Sequence, residues 1–324
     1  MTTTRRHVLT SLGACASTLA LPALAQGAKT TRILVGFPPG GGTDAVARVL
    51  ADKLKDELGH PVVVENRPGA GGQIAAQALK AAPADGSVIF LSHDHTISIL
   101  PLVTKNPGYD PATDFTPVAG FASFVNAFAL SGGTPAKTFT EYLTWVRESG
   151  GGKGSVGIPA PSSTPEFLVK LIARKFNVDL VPVPYRGGAP MMADMLGNQI
   201  AAGVASVPDF IENPKAGKLR VVGVLGVNRQ AVLPDVPTFH EMGLTGFEDL
   251  PYYGFFAPTG TPAAWIDSFG EALSKVVRQG SVRERLGGMG LDVGYMNRAQ
   301  LGERERAYTA VWSRIVKTLG VVPQ

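Results

Sequence analysis

The stretch ILVGFPPGGGTDAVARVL, residues 33–50, passes from an apolar segment through two prolines and three glycines into a helical pattern. Glycine lets the backbone approach a ligand closely and adopt positive φ. The first N–H groups of a helix have no acceptor within that helix and commonly bind an anion. The stretch therefore predicts a buried strand, a glycine loop and a helix. The helix N-terminus either binds a small anion or follows a tight turn that holds no ligand.

The spacing of the glycines excludes the nucleotide-binding loops. No Gly-Lys-Ser/Thr follows the loop, and Gly40-Gly41-Gly42 does not fit G-x-G-x-x-G. Thr43 or Asp44 is expected to cap the helix. Because Asp44 lies in the first turn, a polyanionic phosphate is disfavoured there. A small carboxylate bound by backbone N–H groups remains compatible with the loop.

The pattern outward from this loop predicts an α/β protein of two lobes joined by a hinge. Strands and helices alternate up to residue 92 and again over residues 138–227, which indicates two sheets of crossover units. FASFVNAFALS (residues 121–131) and PYYGFFAPTGTP (residues 251–262) are expected to cross between the lobes. Residues 101–120 are expected to be turn-rich, residues 150–164 a loop, and the remainder after residue 262 helical and packed on the first sheet. The predicted division is residues 26–125 and 251–324 for lobe 1, and residues 126–250 for lobe 2.

The first 25 residues read as a secretory signal peptide. Arg5 and Arg6 precede an apolar stretch, and Ala23-Leu24-Ala25 fits a signal-peptidase site. Paired arginines fit both an ordinary and a twin-arginine signal. Cys15 is the only cysteine and lies in a partial lipoprotein box, but cleavage after Ala25 fits the length of the apolar region better. The predicted mature chain then has no thiol, disulfide or thiolate metal site.

Composition indicates a packed globule that binds a small molecule. Hydrophobic residues make up 44% of the 324-residue chain and charged residues 17%. The signal segment holds two arginines and no acidic residue, so its removal lowers the net charge from +4 to +2. Such a weak, scattered excess does not indicate a nucleic-acid partner.

Two further segments carry polar groups at strand or helix ends. His93, Asp94 and His95 follow the third strand, where the H-x-H pair fits a metal site, a hydrogen-bonding site or ordinary packing. The further histidines that a catalytic metal site needs are lacking downstream, where only His240 follows. Ser162, Ser163 and Thr164 precede a helix with proline at its start and are expected to cap it or bind a ligand. Neither serine lies in a nucleophile elbow.

Several motifs together resemble the solute receptors of tripartite tricarboxylate transporters, also called Bug receptors. They are VGFPPGGGTDAVAR (35–48), VVVENRPGAGGQIAAQALKAAPADG (62–86), VPYRGGAPMMADMLGNQI (183–200), PDVPTFHEMG (234–243) and GFFAPTGTP (254–262). The resemblance implies a periplasmic, type II two-lobed binding protein that closes over a small organic acid. It implies a monomer that serves membrane permease subunits, without catalysis, cofactor or metal. The residues that it implies for ligand binding are Phe37, Pro39, Gly40, Gly41, Thr43, Asp44, Ser92, His95, Thr96, Pro161, Ser162, Ser163, Thr164, Tyr185 and Arg186.

The chain departs from this family at two places. The second-lobe loop reads GIPAPSSTPE, with Glu166 near the place of the usual histidine. The strand that starts near Ile200 lacks the usual aspartate and carries Ala202, Val204 and Ala205 instead. These residues predict a more apolar pocket wall, and hence a monocarboxylate or an aromatic carboxylate as ligand. Two rival functions are a hydrolase that uses His93 and His95 or Ser163, and a ligand sensor that feeds a membrane signalling protein.

Overall fold

The computed structural model describes residues 30–148, 153–211, 217–245, 250–318 and 320–323. The predicted signal peptide, with Arg5, Arg6 and Cys15, lies outside the described residues. Among the helices of the described ranges, none is long and apolar enough to cross a membrane.

The described residues form eleven strands and eleven α-helices. The strands are β1 (Thr31–Val35), β2 (Val62–Asn66), β3 (Val88–His93), β4 (Phe115–Ser123), β5 (Asn126–Ser131), β6 (Lys153–Ile158), β7 (Asp179–Pro184), β8 (Ala202–Ser206), β9 (Leu219–Val224), β10 (Tyr252–Pro258) and β11 (Asp292–Met296). The helices are α1 (Gly42–Leu58), α2 (Gln73–Lys80), α3 (Leu100–Val103), α4 (Pro111–Asp114), α5 (Phe139–Glu148), α6 (Thr164–Phe176), α7 (Gly188–Leu196), α8 (Val207–Ile211), α9 (Ala263–Arg278), α10 (Gly280–Gly288) and α11 (Arg298–Thr318). A wide π-helical turn, His95–Ile99, leads into α3.

The strands belong to two mixed sheets. The first has the order β11-β4-β10-β3-β1-β2 and the second the order β7-β6-β8-β5-β9. In the first sheet β1 is parallel to β2 and β3, while β10 lies antiparallel between β3 and β4. In the second, β6 is parallel to β7 and β8, and β5 is antiparallel to β8 and β9. Each sheet therefore has a parallel half, and strands that arrive from the other lobe supply antiparallel pairs.

The chain passes between the two sheets at two neighbouring points. Phe124 and Val125 connect β4 of the first sheet to β5 of the second, and Pro251 precedes β10 on the return. The Phe124 N–H donates to the Pro251 carbonyl at 3.1 Å, so the two crossings are hydrogen-bonded to each other. Two short, paired crossings form a hinge about which the lobes can close.

The sequence pattern explains both the buried face and the C-terminal end of helix α1. Its buried side chains recur at helical spacing, and they pack on the core beside α9 and the first sheet. Gly59 ends it in the left-handed conformation with φ 68°, and its N–H donates to the Lys55 carbonyl. The predicted strand–loop–helix order at the N-terminal glycine loop is confirmed.

The C-terminal helices pack on the first sheet, as the sequence predicts. Tyr308 and Trp312 of α11 are buried with Phe90 of β3 and Tyr252 of β10. The first lobe has a second core, which includes the apolar side chains of helix α9. The second sheet has an equivalent pair of cores, one against α5 and α6 and one against α7 and α8.

Several predicted elements were wrong. Residues 115–120, expected to be turn-rich, begin β4, and the predicted loop 150–164 contains β6. β11 interrupts the C-terminal part that was expected to be wholly helical. The first apolar crossing segment is divided between β4 and β5, and most of the second lies in β10, so that the crossings themselves are short. Glycine and proline in β4 and β6 mask the strand pattern, because pairing with neighbouring strands overrides local propensity.

Candidate functional site

A cavity of about 50 Å³ lies between the two sheets beside the paired crossings. The first lobe contributes the glycine loop and the end of β3, and the second lobe contributes the segment after β6 and the ends of β8 and α7. Phe124 and Tyr253, at the crossings, line it as well. Both lobes and the hinge therefore meet at one site.

Three helix N-termini converge on this cavity. Gly42 opens α1, Thr164 opens α6 and Gly188 opens α7, and all three residues line the cavity. The first N–H groups of a helix have no acceptor within that helix, and each N-terminus carries roughly half a positive charge from the helix dipole. The described lining residues include no lysine or arginine. Positive potential at this site therefore comes mainly from backbone dipoles.

The N-terminal ends of α1 and α6 lack side-chain caps. Gly41 precedes α1 and has no side chain to offer, so the expected capping by Thr43 or Asp44 is wrong. The Ser163 hydroxyl donates to the Ala160 carbonyl at 2.6 Å instead of accepting from its own helix. These N–H groups are therefore not satisfied by their own caps.

Asp209 bridges the lobes at the α1 N-terminus. Its carboxylate accepts the Gly42 N–H at 2.8 Å and the Ser206 hydroxyl at 2.6 Å, and all three groups are buried. A Cβ on Gly42 would lie 2.9 Å from Pro208 Cβ, and a Cβ on Gly188 would clash with the Asp209 carboxylate. Glycine at position 42 therefore permits the close approach of the lobes, and glycine at position 188 leaves room for the Asp209 carboxylate within the second lobe.

His93 lies among aromatic rings on the cavity wall. Its imidazole stacks on Phe37 with ring centroids 4.9 Å apart, and Phe124 and Tyr253 contact it edge-on at 5.8 and 5.6 Å. Its Nδ1 lies 3.2 Å from the Asp94 carboxylate, which also accepts the Tyr308 hydroxyl at 3.0 Å. The ring contacts and the bond to Asp94 hold the imidazole of His93 in one plane, so that the cavity has a flat aromatic surface on this side.

His95 is a buried polar side chain with unused hydrogen-bonding capacity. Both of its ring nitrogens are buried and have no hydrogen-bond partner among the described residues, and the residue lines the cavity. Burial, and next the neighbouring His93, lower the pKa of His95 to about 4. The ring is therefore neutral near pH 7, and it can offer a ligand one donor or one acceptor.

The structure gathers some of the sequence-predicted site residues at this cavity and leaves others elsewhere. Those that line it are Phe37, Gly41, Thr43, His95, Ser163 and Thr164. Pro161, Tyr185 and Arg186 line a neighbouring cavity of about 220 Å³, which Phe37 also borders. The remaining predicted residues, Pro39, Gly40, Asp44, Ser92, Thr96 and Ser162, line neither of these two cavities.

The remaining residues have local partners instead. Asp44 accepts from Arg48, the Gly40 N–H and Asn66, which draws its carboxylate toward β2. Thr96 donates to the Gly71 carbonyl, and the Ser162 N–H donates to Glu166. The structure describes Pro39 and Gly40 as exposed, and Ser92 as buried beside β10.

The sequence did not single out several lining residues. Ser206 ends β8, Asp209 lies in α8, Gly188 opens α7, and Asn126 and Tyr253 lie beside the crossings. Most of these residues lie at or near the end of a strand or the start of a helix, and this position is the sequence feature by which they could have been found. By contrast, Ala202, Val204 and Ala205, from which an apolar wall was predicted, are buried in the cores of the second lobe. The apolar wall is aromatic and comes from Phe37, Phe124 and Tyr253.

Two α/β lobes that close around a cavity lined by helix N-termini define a solute-binding protein. Residues 46–321 match the profile of the tripartite tricarboxylate transporter family receptor, TctC. The chain belongs to this family, whose members are periplasmic solute-binding receptors and not enzymes.

Relatives and solved structures agree over nearly the whole chain. A protein of Cupriavidus necator, the UPF0065 protein in the gbd 5' region, is 31% identical and covers 98% of both chains. The periplasmic binding protein BugD has a TM-score of 0.85 and 30% identity, covering 91% of this chain and 99% of BugD.

Two further solved structures contain carboxylates. R. palustris Rpa4515 with adipate has a TM-score of 0.85 and 28% identity, covering 91% of this chain and 98% of that protein. MatC from Rhodopseudomonas palustris with malate has a TM-score of 0.79 and 28% identity, covering 89% and 98%.

Proposed function

We propose that this receptor captures a small organic carboxylate in the cavity between its lobes and delivers it to the permease subunits of a tripartite tricarboxylate transporter. The observation that carries the proposal is the convergence of three helix N-termini from both lobes on one cavity. The cavity also holds His95, whose ring nitrogens have no hydrogen-bond partner among the described residues. The adipate and malate held by related receptors support a carboxylate as the ligand class.

In the proposed complex the two lobes hold the ligand from opposite sides. The α6 N-terminus and His95 bind the carboxylate, and the aromatic rings of Phe37, His93 and Phe124 contact its body. Lobe 1 comprises residues 26–125 and 251–324, and lobe 2 residues 126–250. The receptor acts as an exported monomer, released from the signal peptide after Ala25, and it uses no metal or cofactor.

A thermal-shift screen against a panel of organic acids tests this function. A ligand at a hundredfold excess over its Kd stabilises the folded state by about 2.7 kcal/mol. For a chain of this size the midpoint should rise by roughly 5 °C. The matched amide of each acid, such as benzamide for benzoate, serves as the control and should give no shift. Equal shifts with acids and amides, or no shift with any acid, would contradict a carboxylate receptor.

Delivery to a permease has a separate test. Cells that express the receptor and the permease should take up the radiolabelled acid, and cells without the receptor should not. Uptake that does not depend on the receptor would contradict the transport role and leave the binding result intact.

A further inference from the structure

We infer that Asp209 is a built-in carboxylate that fills one anion position of the cavity, so that the receptor accepts monocarboxylates and rejects dicarboxylates. The inference rests on the proposed function, because it concerns which carboxylates bind at the same site. It makes Asp209 the residue that determines ligand charge.

Asp209 occupies the position where the glycine loop would otherwise hold an external anion. Its Oδ1 accepts the N–H of Gly42, the first residue of α1, at 2.8 Å. The Ser206 hydroxyl donates to the other oxygen, Oδ2, at 2.6 Å. The carboxylate also contacts Gly188, the first residue of α7, so closely that a Cβ there would clash. One side chain of the second lobe thus faces the N-termini of both helices.

Of the three helix N-termini at the cavity, that of α6 is the one that Asp209 does not face. Three helix N-termini contribute roughly half a positive charge each. Asp209 faces the N-termini of α1 and α7 and offsets them. Asp94, the other carboxylate at the cavity, accepts from Tyr308 and contacts His93. Helix α6, which starts at Thr164, is the N-terminus that remains for a ligand, with His95 as a neutral hydrogen-bonding group.

A second ligand carboxylate would meet Asp209 instead of a counter-charge. The described lining residues supply no lysine or arginine to compensate it. Two carboxylates about 6 Å apart at an effective dielectric constant of 20 repel each other enough to weaken binding about 100-fold. The stacked and edge-on rings of Phe37, His93 and Phe124 suit an apolar body at that end of the ligand. The site is therefore built for one carboxylate on a small apolar or aromatic body.

Calorimetric titration of the full chain with matched pairs of acids tests the inference. The pairs are hexanoate with adipate and benzoate with terephthalate, so that each pair differs by one carboxylate on a similar body. The wild-type receptor should bind at least one of the monocarboxylates about 100-fold more tightly than its partner. Asp209→Asn and Asp209→Ser should lower that ratio to below about 10-fold, because the dicarboxylate gains affinity once the buried charge is removed.

Asp179→Asn is the matched control. It removes one negative charge from the same lobe at an exposed position on β7, away from the cavity, and should keep the wild-type ratio. Equal binding of both members of each pair by the wild-type receptor would overturn the inference and leave the proposed function standing. So would an unchanged ratio in both Asp209 variants. Absence of binding by every acid would overturn the proposed function itself. The wild-type ratio needs no variant, so it decides the question even where the Asp209 variants fold poorly.

Discussion

Replacing Gly42 by alanine places a methyl group in the contact between the two lobes. The added Cβ would lie 2.9 Å from Pro208 Cβ, 3.0 Å from the Asp209 nitrogen and 3.2 Å from the Pro208 carbonyl carbon. Carbon atoms pack best at about 3.5 to 4.0 Å. The lobes must therefore separate by several tenths of an ångström, which also weakens the bond between the Gly42 N–H and Asp209.

The free-energy cost of this substitution follows from the overlap of the added methyl group with Pro208 and Asp209. Inserting a methyl group into a close-packed contact costs about 1–3 kcal/mol. Each lobe keeps its own core, because the three atoms nearest to the added Cβ all belong to the other lobe. The cost therefore falls on the closed form alone. If a ligand binds only that form, its affinity should fall by roughly 5- to 150-fold.

Two measurements check this prediction. Small-angle X-ray scattering of the unliganded protein should give a larger radius of gyration for Gly42→Ala than for the wild type. Calorimetry should show the lower affinity with the carboxylate that the thermal-shift screen identifies. Gly41→Ala should lose less, because its Cβ would find its nearest atom at 3.5 Å, an ordinary contact. Gly288→Ala in α10, where a Cβ meets nothing within 4 Å, is the control. Unchanged scattering together with affinity within twofold of the wild type would refute the reasoning.

Two further predictions concern buried groups beside the cavity. The pKa of His95 is lowered from 6.5 to about 4, so its contribution to stability is complete above pH 6.5 and is lost as the pH falls toward 4, in total about 3 kcal/mol. The free energy of unfolding in urea, measured against pH, should show this loss in the wild type and in the exposed control His240→Gln. In His95→Gln the free energy of unfolding should depend less on pH. Parallel pH dependence in all three proteins would contradict the prediction. Tyr308→Phe removes the hydroxyl that donates to buried Asp94 and should lower the free energy of unfolding by about 1–3 kcal/mol. Tyr295→Phe on β11 should cost less than about 0.5 kcal/mol, and an equal cost for both would refute the role of the Asp94 bond.

Much of the fold could be predicted because it rests on local patterns. The buried face of α1 recurs at helical spacing, and Gly59 ends it in the left-handed conformation. The apolar runs of β1 and β3 are long enough to indicate buried strands. The strands β6 and β11 escaped prediction because glycines interrupt them and their stability comes from neighbouring strands.

The candidate site was predictable only in part for a related reason. Phe37, Gly41 and Thr43 could be found because they belong to one contiguous glycine loop at a helix start. Asp209 lies 167 positions from Gly42 in the chain, and no local pattern connects the two. Ala202 was predicted to form part of an apolar pocket wall, but its side chain faces the core of the second lobe. Adjacent residues of a strand point to opposite faces, and the sequence does not show which face lines the cavity.

The sequence by itself determined the α/β class, the glycine loop before α1 and the absence of a nucleotide-binding spacing, because these depend on residues that are neighbours in the chain. The tertiary structure alone decided which helix N-termini meet, and that Asp209 accepts the Gly42 N–H across the cleft. It also decided that, within the part of the chain that the structure describes, both ring nitrogens of His95 lack a hydrogen-bond partner beside the cavity. The physical reason is that charge compensation and burial depend on distances between groups from different lobes, and closure of the hinge sets those distances.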